Sequence, residues 1–144
     1  MVDETCIFCR IIAGEEMVSL IHEDDRSLAF MDINPVSRGH ALVVSREHHS
    51  QIWRVPEDLL MHCLTVSRRI AAGIKRSTGT DSVNVFCADG PDGGQDVPHF
   101  HLHLIPVAEG EEFPLQLPPS GTPIPSRSEL DVMAARIGRA IQDA

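Results

Sequence analysis

Short apolar stretches separated by polar turns dominate the first third of the chain. Residues 18–21 and 28–31 are mainly apolar and flank the polar run Glu23-Asp24-Asp25-Arg26, which predicts a β-hairpin between Val18 and Asp32. Residues 39–45 are apolar and β-branched, which predicts a third strand. The pattern therefore favours antiparallel strands in this part of the chain.

A helical period follows Pro56. The apolar positions are Leu59, Leu60, Cys63, Val66, Ile70 and Ile74, which recur at intervals of three or four residues. Glu57 and Asp58 would lie in the first turn, where the helix dipole favours acidic side chains, and Gly79 supplies a stop signal. The spacing predicts one long central helix.

The strand pattern returns after this helix. Residues 82–87 alternate between apolar and polar side chains, and residues 99–106 form the next apolar stretch, beyond a glycine-rich loop at 90–94. The proline-rich segment that follows has no clear period until Ser126 and Glu129, whose spacing resembles a capping box and predicts a terminal helix. This order of elements predicts an α+β fold with an antiparallel sheet of about five strands, one long central helix and a C-terminal helix.

Charge and composition narrow the classes of partner. The 144 residues carry a formal net charge of −9, which argues against a nucleic-acid polymer, because such binding needs many Lys and Arg contacts to phosphate. No apolar run approaches the roughly 20 residues of a membrane span, and the first residues are acidic where a signal peptide is basic. We therefore expect a cytoplasmic protein, and one local site for a small anion stays compatible with the charge.

The four cysteines divide into two kinds. Cys6 and Cys9 form a C-x-x-C pair, whereas Cys63 and Cys87 are far apart in the sequence. In a reducing compartment a C-x-x-C pair is metal-binding or redox-active more often than a structural disulfide. We expect the two isolated cysteines to be small core residues.

Three histidines alternate with apolar residues in the run His99-Phe100-His101-Leu102-His103. Successive side chains of a strand point to opposite faces, so the three histidines share one face and the apolar residues share the other. Core packing does not require such a row. On the residues alone two kinds of chemistry remain open: the imidazoles bind one metal ion of a hydrolase, or the central imidazole is a nucleophile whose neighbours hold its tautomer.

The run resembles the defining motif of the histidine-triad family, in which three histidines alternate with apolar residues. Further similar segments are Asp32-Ile33-Asn34-Pro35, Gly39-His40, Arg46-Glu47-His48 and Asp92-Gly93-Gly94-Gln95, in the family's order and spacing. The resemblance is to the zinc-bearing bacterial type. It covers about Cys6 to Pro106 and implies a histidine-triad domain at residues 1–106. The tail lies outside the resemblance, and we expect residues 107–144, with the proline-rich segment and the terminal helix, to be a C-terminal extension packed on the same domain.

This resemblance implies an enzyme that hydrolyses or transfers the nucleotidyl group at the α-phosphate of a nucleotide, such as an AMP phosphoramidate or a dinucleoside polyphosphate. His101 would attack the phosphorus and form a covalent nucleotidyl-histidine, with the carbonyl of His99 holding its other ring nitrogen. His103, with His40 behind it, would donate to phosphate oxygens or orient the site. Imidazole suits the role of nucleophile because its usual pKa of about 6.5 leaves a lone pair available at pH 7.

The resemblance also implies a pocket for a purine nucleotide or a nucleotide conjugate. Its apolar walls are expected at Ile7, Phe8, Ile11, Phe30 and Ile33. Asp32 would accept hydrogen bonds from the ribose hydroxyls, and the loop residues Gly94, Gln95, Asp96 and Val97 would lie at the phosphate, where backbone N–H groups can hold an anion. Phosphoramidate hydrolases of the family often have serine at the position of Asp96, and whether a carboxylate there repels substrate or binds its cationic part stays open.

A structural zinc ion takes four Cys or His ligands, and a tight C-x-x-C pair supplies two of them. The resemblance implies that Cys6 and Cys9 are joined by His48 and His99 around Zn²⁺. A closed zinc site has no open position for substrate, which opposes the metal-dependent hydrolase. A homodimer that joins two half-sheets is also implied, and a nucleotide-binding adaptor with little turnover is the remaining alternative.

Overall fold

The computed structural model describes residues 5–111 and 121–142. Its elements are α1 (Ile7–Ile12), β1 (Leu20–Glu23), β2 (Ser27–Met31), β3 (Ala41–Ser45), α2 (Glu57–Thr78), β4 (Ser82–Phe86), β5 (His101–Val107) and α3 (Arg127–Gln142). The five strands form one sheet in the order β1-β2-β3-β5-β4, and every neighbouring pair is antiparallel. The predicted α+β fold, with its five-stranded antiparallel sheet and long central helix, is confirmed.

Alternating side chains divide the sheet into two faces with separate cores. On one face β5 packs against α2 through Phe100, Leu102, Leu104, Leu59, Cys63, Val66, Ile70 and Ile74. On the other face Leu28, Phe30, Leu42 and Val44 pack with Phe8 of α1. Because strand side chains alternate, β2 and β3 each contribute to both cores. Cys63 is fully buried in the first core, as expected for an isolated cysteine.

The predicted limits of α2 agree with the structure. The helix starts immediately after Pro56, carries Glu57 and Asp58 in its first turn and ends at Thr78. Gly79 follows in the left-handed conformation with φ 77°, and its N–H donates to the carbonyl of Lys75. Glycine adopts this conformation without the steric cost that a Cβ brings, so it ends the helix cleanly.

Asp24 organises the predicted turn between β1 and β2. Its Oδ1 accepts hydrogen bonds from the backbone N–H groups of Arg26 and Ser27, and its Oδ2 lies 3.0 Å from Nε2 of both His22 and His62. Burial alone would raise the pKa of Asp24, but these hydrogen bonds hold it well below its usual range. The carboxylate therefore connects the hairpin turn to α2.

Two local features differ from the sequence prediction. Helix α1 is absent from that prediction, although Ile7, Phe8 and Ile11 have helical spacing, because six residues are too few for the period to stand out. Strand β5 begins at His101 rather than His99, since the N–H groups of His99 and Phe100 donate to the carbonyls of Val97 and His49 instead of joining the ladder.

The chain divides into two compact units, Met1–Phe113 and Pro114–Ala144. In the second unit, the N–H and Oγ of Ser126 both donate to Glu129 Oε2, and the N–H of Glu129 donates back to Ser126 Oγ. The predicted capping box is therefore present at the start of α3. Part of the proline-rich segment, residues 112–120, lies outside the described residues, and the packing of the extension on the domain stays a prediction.

None of the helices in the two described stretches is long and apolar enough to cross a membrane.

Candidate functional site

The histidine run lies on the face of the sheet opposite α2. In the β3–β5 register His101 is paired with Val44 and His103 with Leu42, and both partners belong to the core on the α1 side. His99 precedes the strand and is fully buried, whereas Phe100 and Leu102 pack on the helix side. The three histidines therefore lie on the face opposite Phe100 and Leu102, as the alternation predicts, and that face carries the core on the α1 side.

The protonated nitrogen of His101 follows from its hydrogen-bond partner. Nδ1 lies 2.6 Å from the carbonyl oxygen of His99, and a carbonyl only accepts, so Nδ1 carries the proton. In the neutral ring Nε2 then has a free lone pair. The ring is buried against Phe8, whose edge meets it at a centroid distance of 5.1 Å, so His101 presents an oriented and unprotonated Nε2.

A second chain of hydrogen bonds orients His103. The backbone N–H of Val36 donates to Nδ1 of His40 over 3.1 Å, so the proton of a neutral His40 is on Nε2. That nitrogen lies 3.0 Å from Nδ1 of His103, which must accept. His103 therefore carries its own proton on Nε2 and is a hydrogen-bond donor there.

Burial keeps these imidazoles neutral at physiological pH. It lowers the pKa of His103 to about 4, and it also lowers the pKa of His101 and His40 below the usual value, because desolvation penalises the charged ring. The carboxylates of Asp32 and Asp96 oppose this effect at His101 and His103, since both raise the pKa of each ring.

The loop at residues 90–97 is fixed by its own hydrogen bonds. Gln95 is buried, and its side-chain amide donates to the carbonyl of Ser50 over 2.7 Å and accepts from the N–H of Gly90 over 3.0 Å. Val97 packs against the core on the α1 side, while Gly94 and Asp96 are exposed. The side chain of Gln95 therefore holds the loop in place. The N–H groups of Gly93, Gly94 and Gln95 donate to carbonyls within the loop, whereas those of Asp96 and Val97 make no hydrogen bond within the described residues.

The residues expected to bind a nucleoside differ in their placement. Phe8 and Phe30 are buried together, with ring centroids 5.7 Å apart, and Ile11 packs on the same core. Ile7 is 38% exposed and Ile33 is 86% exposed. The structure thus brings the aromatic pair to the histidine face and leaves Ile33 at the surface.

Asp32 lies beside the histidines. Its Oδ1 accepts the N–H of Asn34 over 2.8 Å, and its Oδ2 lies 3.5 Å from Nε2 of His40. This carboxylate is only partly buried, so its oxygens have room to accept a further hydrogen bond.

The second predicted constellation comes together as one cluster. The ligand atoms of Cys6, Cys9, His48 and His99 all lie within 4.8 Å of one another. Nδ1 of His99 is 3.4 Å from Sγ of Cys6, and Nδ1 of His48 is 3.3 Å from Sγ of Cys9. Nε2 of His99 donates to the carbonyl of Ser45 over 2.7 Å, which turns the Nδ1 lone pair toward the thiols, as a second-shell partner does for a metal-binding histidine. These four residues could hold a metal ion.

A further group, Asp32, His40 and His103, also has three ligand atoms within 4.8 Å. The N–H of Val36 places the proton of His40 on Nε2, the nitrogen that faces the group, and a protonated nitrogen cannot bind a metal. Among the described residues, no group of side chains close enough together to bind one metal ion contains all three histidines of the run. The arrangement therefore opposes a metal-dependent hydrolase built on these three rings.

Sequence reasoning missed two contributors to this site. The ring of Phe86 on β4 stacks on His103 with centroids 4.6 Å apart and an interplanar angle of 8°, because the β4–β5 register makes the two residues partners. The N–H of Val36 sets the tautomer of His40. The first depends on strand register and the second on a backbone group, and neither leaves a signal in residue type.

Comparisons with a family model and with known proteins all point to the same family. A family model described as the HIT domain matches residues 13–110. An uncharacterised HIT-like protein of Methanocaldococcus jannaschii is 39% identical over 106 residues, which are 74% of this chain and 81% of that protein. Adenosine 5′-monophosphoramidase HNT1 of Saccharomyces cerevisiae is 36% identical over 72% of this chain and 63% of its own length. Adenylylsulfatase HINT3 of Arabidopsis thaliana is 35% identical over 72% and 53% respectively.

Solved structures with the same fold include a Streptococcus mutans protein, with a TM-score of 0.88 and 29% identity, which covers 96% of this chain and 87% of that one. A zinc-bound histidine triad family protein from Mycobacterium smegmatis has a TM-score of 0.73 and 30% identity, with 94% and 97% coverage. These structures therefore resemble this chain in fold over nearly its whole length, and they also resemble it in sequence.

Proposed function

Because this chain belongs to the histidine-triad (HIT) domain family, we propose that it is a nucleotidyl hydrolase or transferase that acts on the α-phosphate of an AMP conjugate through His101. The observation that carries the proposal is the hydrogen bond from Nδ1 of His101 to the carbonyl of His99. It holds the ring in the tautomer whose Nε2 is nucleophilic, in a site where burial favours the neutral form.

The reaction has two displacements at phosphorus. Nε2 of His101 forms a bond to the α-phosphorus, and the bond to the leaving group breaks, so that the leaving group departs with the electron pair and takes up a proton from Nε2–H of His103 or from solvent. Water or another acceptor then forms the new bond to phosphorus and gives its proton back to His103 or to solvent, while the bond to His101 breaks, which releases AMP or an AMP ester and restores the imidazole. Splitting one difficult substitution into two easier ones is the benefit of a covalent nucleophile.

The neighbouring groups supply donors where negative charge develops. Nε2–H of His103 is oriented by His40 and would donate to a phosphate oxygen or to the leaving group. The N–H groups of Asp96 and Val97, which make no hydrogen bond within the described residues, would bind another phosphate oxygen. Asp32 would accept from the ribose hydroxyls. Such preorganised donors stabilise the transition state without a cost of reorganisation.

Zinc is the metal that best suits the Cys6–Cys9–His48–His99 cluster, because two thiolates and two imidazoles are typical ligands of a closed, tetrahedral structural zinc site. The zinc-bound relative from Mycobacterium smegmatis supports this identity. When bound, the ion would cross-link α1 to the segment after β3, which contains His48, and to the segment before β5, which contains His99. Its role is structural, and the chemistry belongs to His101.

A purine nucleotide or nucleotide conjugate is the proposed partner, and a homodimer is the proposed assembly. Support for the dimer is that β4 lies at an edge of the sheet and exposes Val85, while α2 exposes Met61 and Leu64. Sedimentation equilibrium of the full chain tests the assembly, with a monomer mass as the contradicting result. A cytoplasmic location remains a prediction.

Steady-state turnover of an adenosine phosphoramidate and of a dinucleoside polyphosphate tests the proposed function. Wild type should release AMP. His101→Asn should lower kcat by at least about a thousandfold, because it removes the nucleophile and the neighbouring catalytic groups cannot act without it. His22→Asn is the matched control, since His22 lies in the β1–β2 turn system, and it should keep activity. Turnover that survives in His101→Asn would contradict the proposal.

A further inference from the structure

Phe86 is the last residue of β4 and lies directly opposite His103 of β5 in the antiparallel ladder. Directly paired residues of neighbouring strands point to the same face of the sheet, with their Cβ atoms about 5 Å apart. The two rings are almost parallel, with an interplanar angle of 8° and centroids 4.6 Å apart. Phe86 therefore covers one face of the imidazole that is the proposed donor.

The hydrogen bond from His40 does not by itself fix the plane of the His103 ring. Nε2 of His40 lies 3.0 Å from Nδ1 of His103, which restrains that edge but allows the ring to tilt about the hydrogen bond. The torsion between Cβ and Cγ of histidine is broad, because it joins a tetrahedral carbon to a planar one. A parallel ring against the face opposes this tilt, since the tilt would bring the two rings into collision.

The neighbouring imidazoles do not supply such a parallel surface. The ring of His101 meets that of His103 at 62°, with centroids 4.8 Å apart. The ring of His40 is tilted by 40°, with centroids 5.2 Å apart. Of these three neighbours, Phe86 is therefore the one that restrains the plane of His103.

Phe86 lies outside the two cores that hold the sheet together. Its side chain is 39% exposed, and it belongs to neither core among the described residues. By contrast, Phe8, Phe30 and Phe100 are buried in those cores. Loss of the Phe86 ring should therefore disturb His103 more than it disturbs the fold.

We propose that Phe86 is a positioning residue, whose stack on His103 fixes the plane of that imidazole and aims its Nε2–H at the reacting phosphate group. This inference rests on the proposed function, in which that N–H donates to a phosphate oxygen or to the leaving group. Hydrogen bonds weaken steeply as the donor angle departs from linearity. A donor that is aimed before the substrate binds stabilises the transition state without a cost of reorganisation.

The first test compares two substitutions of Phe86 by steady-state turnover of an adenosine phosphoramidate. Phe86→Leu keeps an apolar side chain but removes the flat ring. It should lower kcat by about tenfold, which is part of the roughly hundredfold or more that a positioned proton donor contributes. KM should stay nearly unchanged, because the affected interaction belongs to the transition state. Phe86→Tyr keeps the ring and should keep kcat near the wild-type value.

A double-mutant cycle separates positioning from a general structural effect. His103→Asn leaves no imidazole to position, so Phe86→Leu should cause no further loss of kcat in that background. Trp53→Leu is the matched control, because Trp53 is an exposed aromatic residue that lies against Arg54 and donates to Gln51. It should leave kcat and KM unchanged.

Proton NMR of the free protein detects the stack without turnover. Protons above the face of an aromatic ring are shifted upfield by its ring current. The ring protons of His103 should therefore be shifted upfield in wild type and in Phe86→Tyr, and this shift should be lost in Phe86→Leu. The spectrum of His103→Asn identifies these resonances, because the substitution removes them.

Three results would overturn the inference while wild type still releases AMP. They are an unchanged kcat in Phe86→Leu, a loss of kcat of equal size with and without His103, and His103 resonances without an upfield shift in wild type. A loss that arises from weakened folding would appear in both backgrounds and so counts against positioning. Failure of wild type to release AMP would instead overturn the proposed function and this inference with it.

Discussion

Each histidine of the site has one ring nitrogen committed to a neighbouring group. His101 donates to the carbonyl of His99, His99 donates to the carbonyl of Ser45, and His40 accepts from the N–H of Val36. These contacts decide whether the opposite nitrogen is a lone pair or a donor. His99 therefore turns a lone pair toward the thiols, His101 presents a lone pair at Nε2, and His103 presents an N–H donor at Nε2.

Residue identity alone predicts only part of this division. The alternation of the run places the three histidines on one face, and the resemblance to the histidine-triad family separates His99 from His101. The tautomers depend on backbone groups of Ser45 and Val36, which every residue type possesses, so no sequence pattern marks them. The exposure of Ile33 depends on the direction in which the chain leaves β2, and the sequence pattern does not predict that direction.

Stability against acid provides a test at His103. Burial lowers the pKa of His103 in the folded state to about 4, below the unfolded value of about 6.5. Between these values the unfolded state binds more protons, so stability falls as the pH drops from about 6.5 toward 4. Urea unfolding at pH 7 and pH 5 should show that wild type loses about 2 kcal/mol more than His103→Asn, which does not titrate. Equal losses in the two proteins would show that the ring is not held neutral.

At the scale of elements, periodicity predicted the structure best where an element is long or alternates strictly. Helix α2 and the hairpin β1–β2 agree with the sequence prediction to within a few residues. The sequence pattern does not predict helix α1, because six residues give too short a period. The pattern predicts the start of β5 two residues too early, because the N–H groups of His99 and Phe100 donate to carbonyls outside the sheet, and these contacts depend on the tertiary structure.

Gly39 lies two residues before β3, where the backbone passes close to the end of α2 and to β5. Its φ is +99°, and a Cβ there would lie 3.1 Å from Pro106 Cγ and 3.2 Å from Thr78 Cγ2. Gly39→Ala should therefore lower the free energy of unfolding by at least about 2 kcal/mol, from the left-handed backbone and the crowding together. Urea denaturation measures the change.

Gly73 is the matched comparison within α2. A Cβ at this position meets nothing within 4 Å, and alanine favours the helix by up to about 1 kcal/mol over glycine. Gly73→Ala should therefore leave the free energy of unfolding unchanged or raise it. Destabilisation by Gly73→Ala to the same extent as by Gly39→Ala would contradict the local explanation.

At the scale of the whole molecule, the Cys6–Cys9–His48–His99 cluster links positions more than ninety residues apart. It joins α1, which carries Phe8 to the face of His101, to the segments after β3 and before β5. The fold class followed from local patterns, whereas this closure could be anticipated only through the family resemblance. A metal ion there would tie the N-terminal segment to the start of β5.

Loss of a metal ion from this cluster should therefore lower the stability of the fold. We expect about one zinc per wild-type chain by elemental analysis, retained in His101→Asn and lost in Cys6→Ser. Cys6→Ser should lower Tm by about 10 °C, because binding of a structural metal adds directly to folding energy. Cys87→Ser, which changes a cysteine outside the cluster, should keep its zinc. Zinc retained in Cys6→Ser would contradict the assignment.

The central claim is that His101 is a covalent nucleophile. Its most direct test is to mix the 144-residue chain with an adenosine phosphoramidate, quench the reaction rapidly, and then measure the intact mass and map the peptides. We predict a transient increase by the mass of one AMP moiety, located on His101 and absent in His101→Asn. Turnover without any adduct, an adduct on another residue, or nucleotide binding with neither adduct nor turnover would contradict the claim.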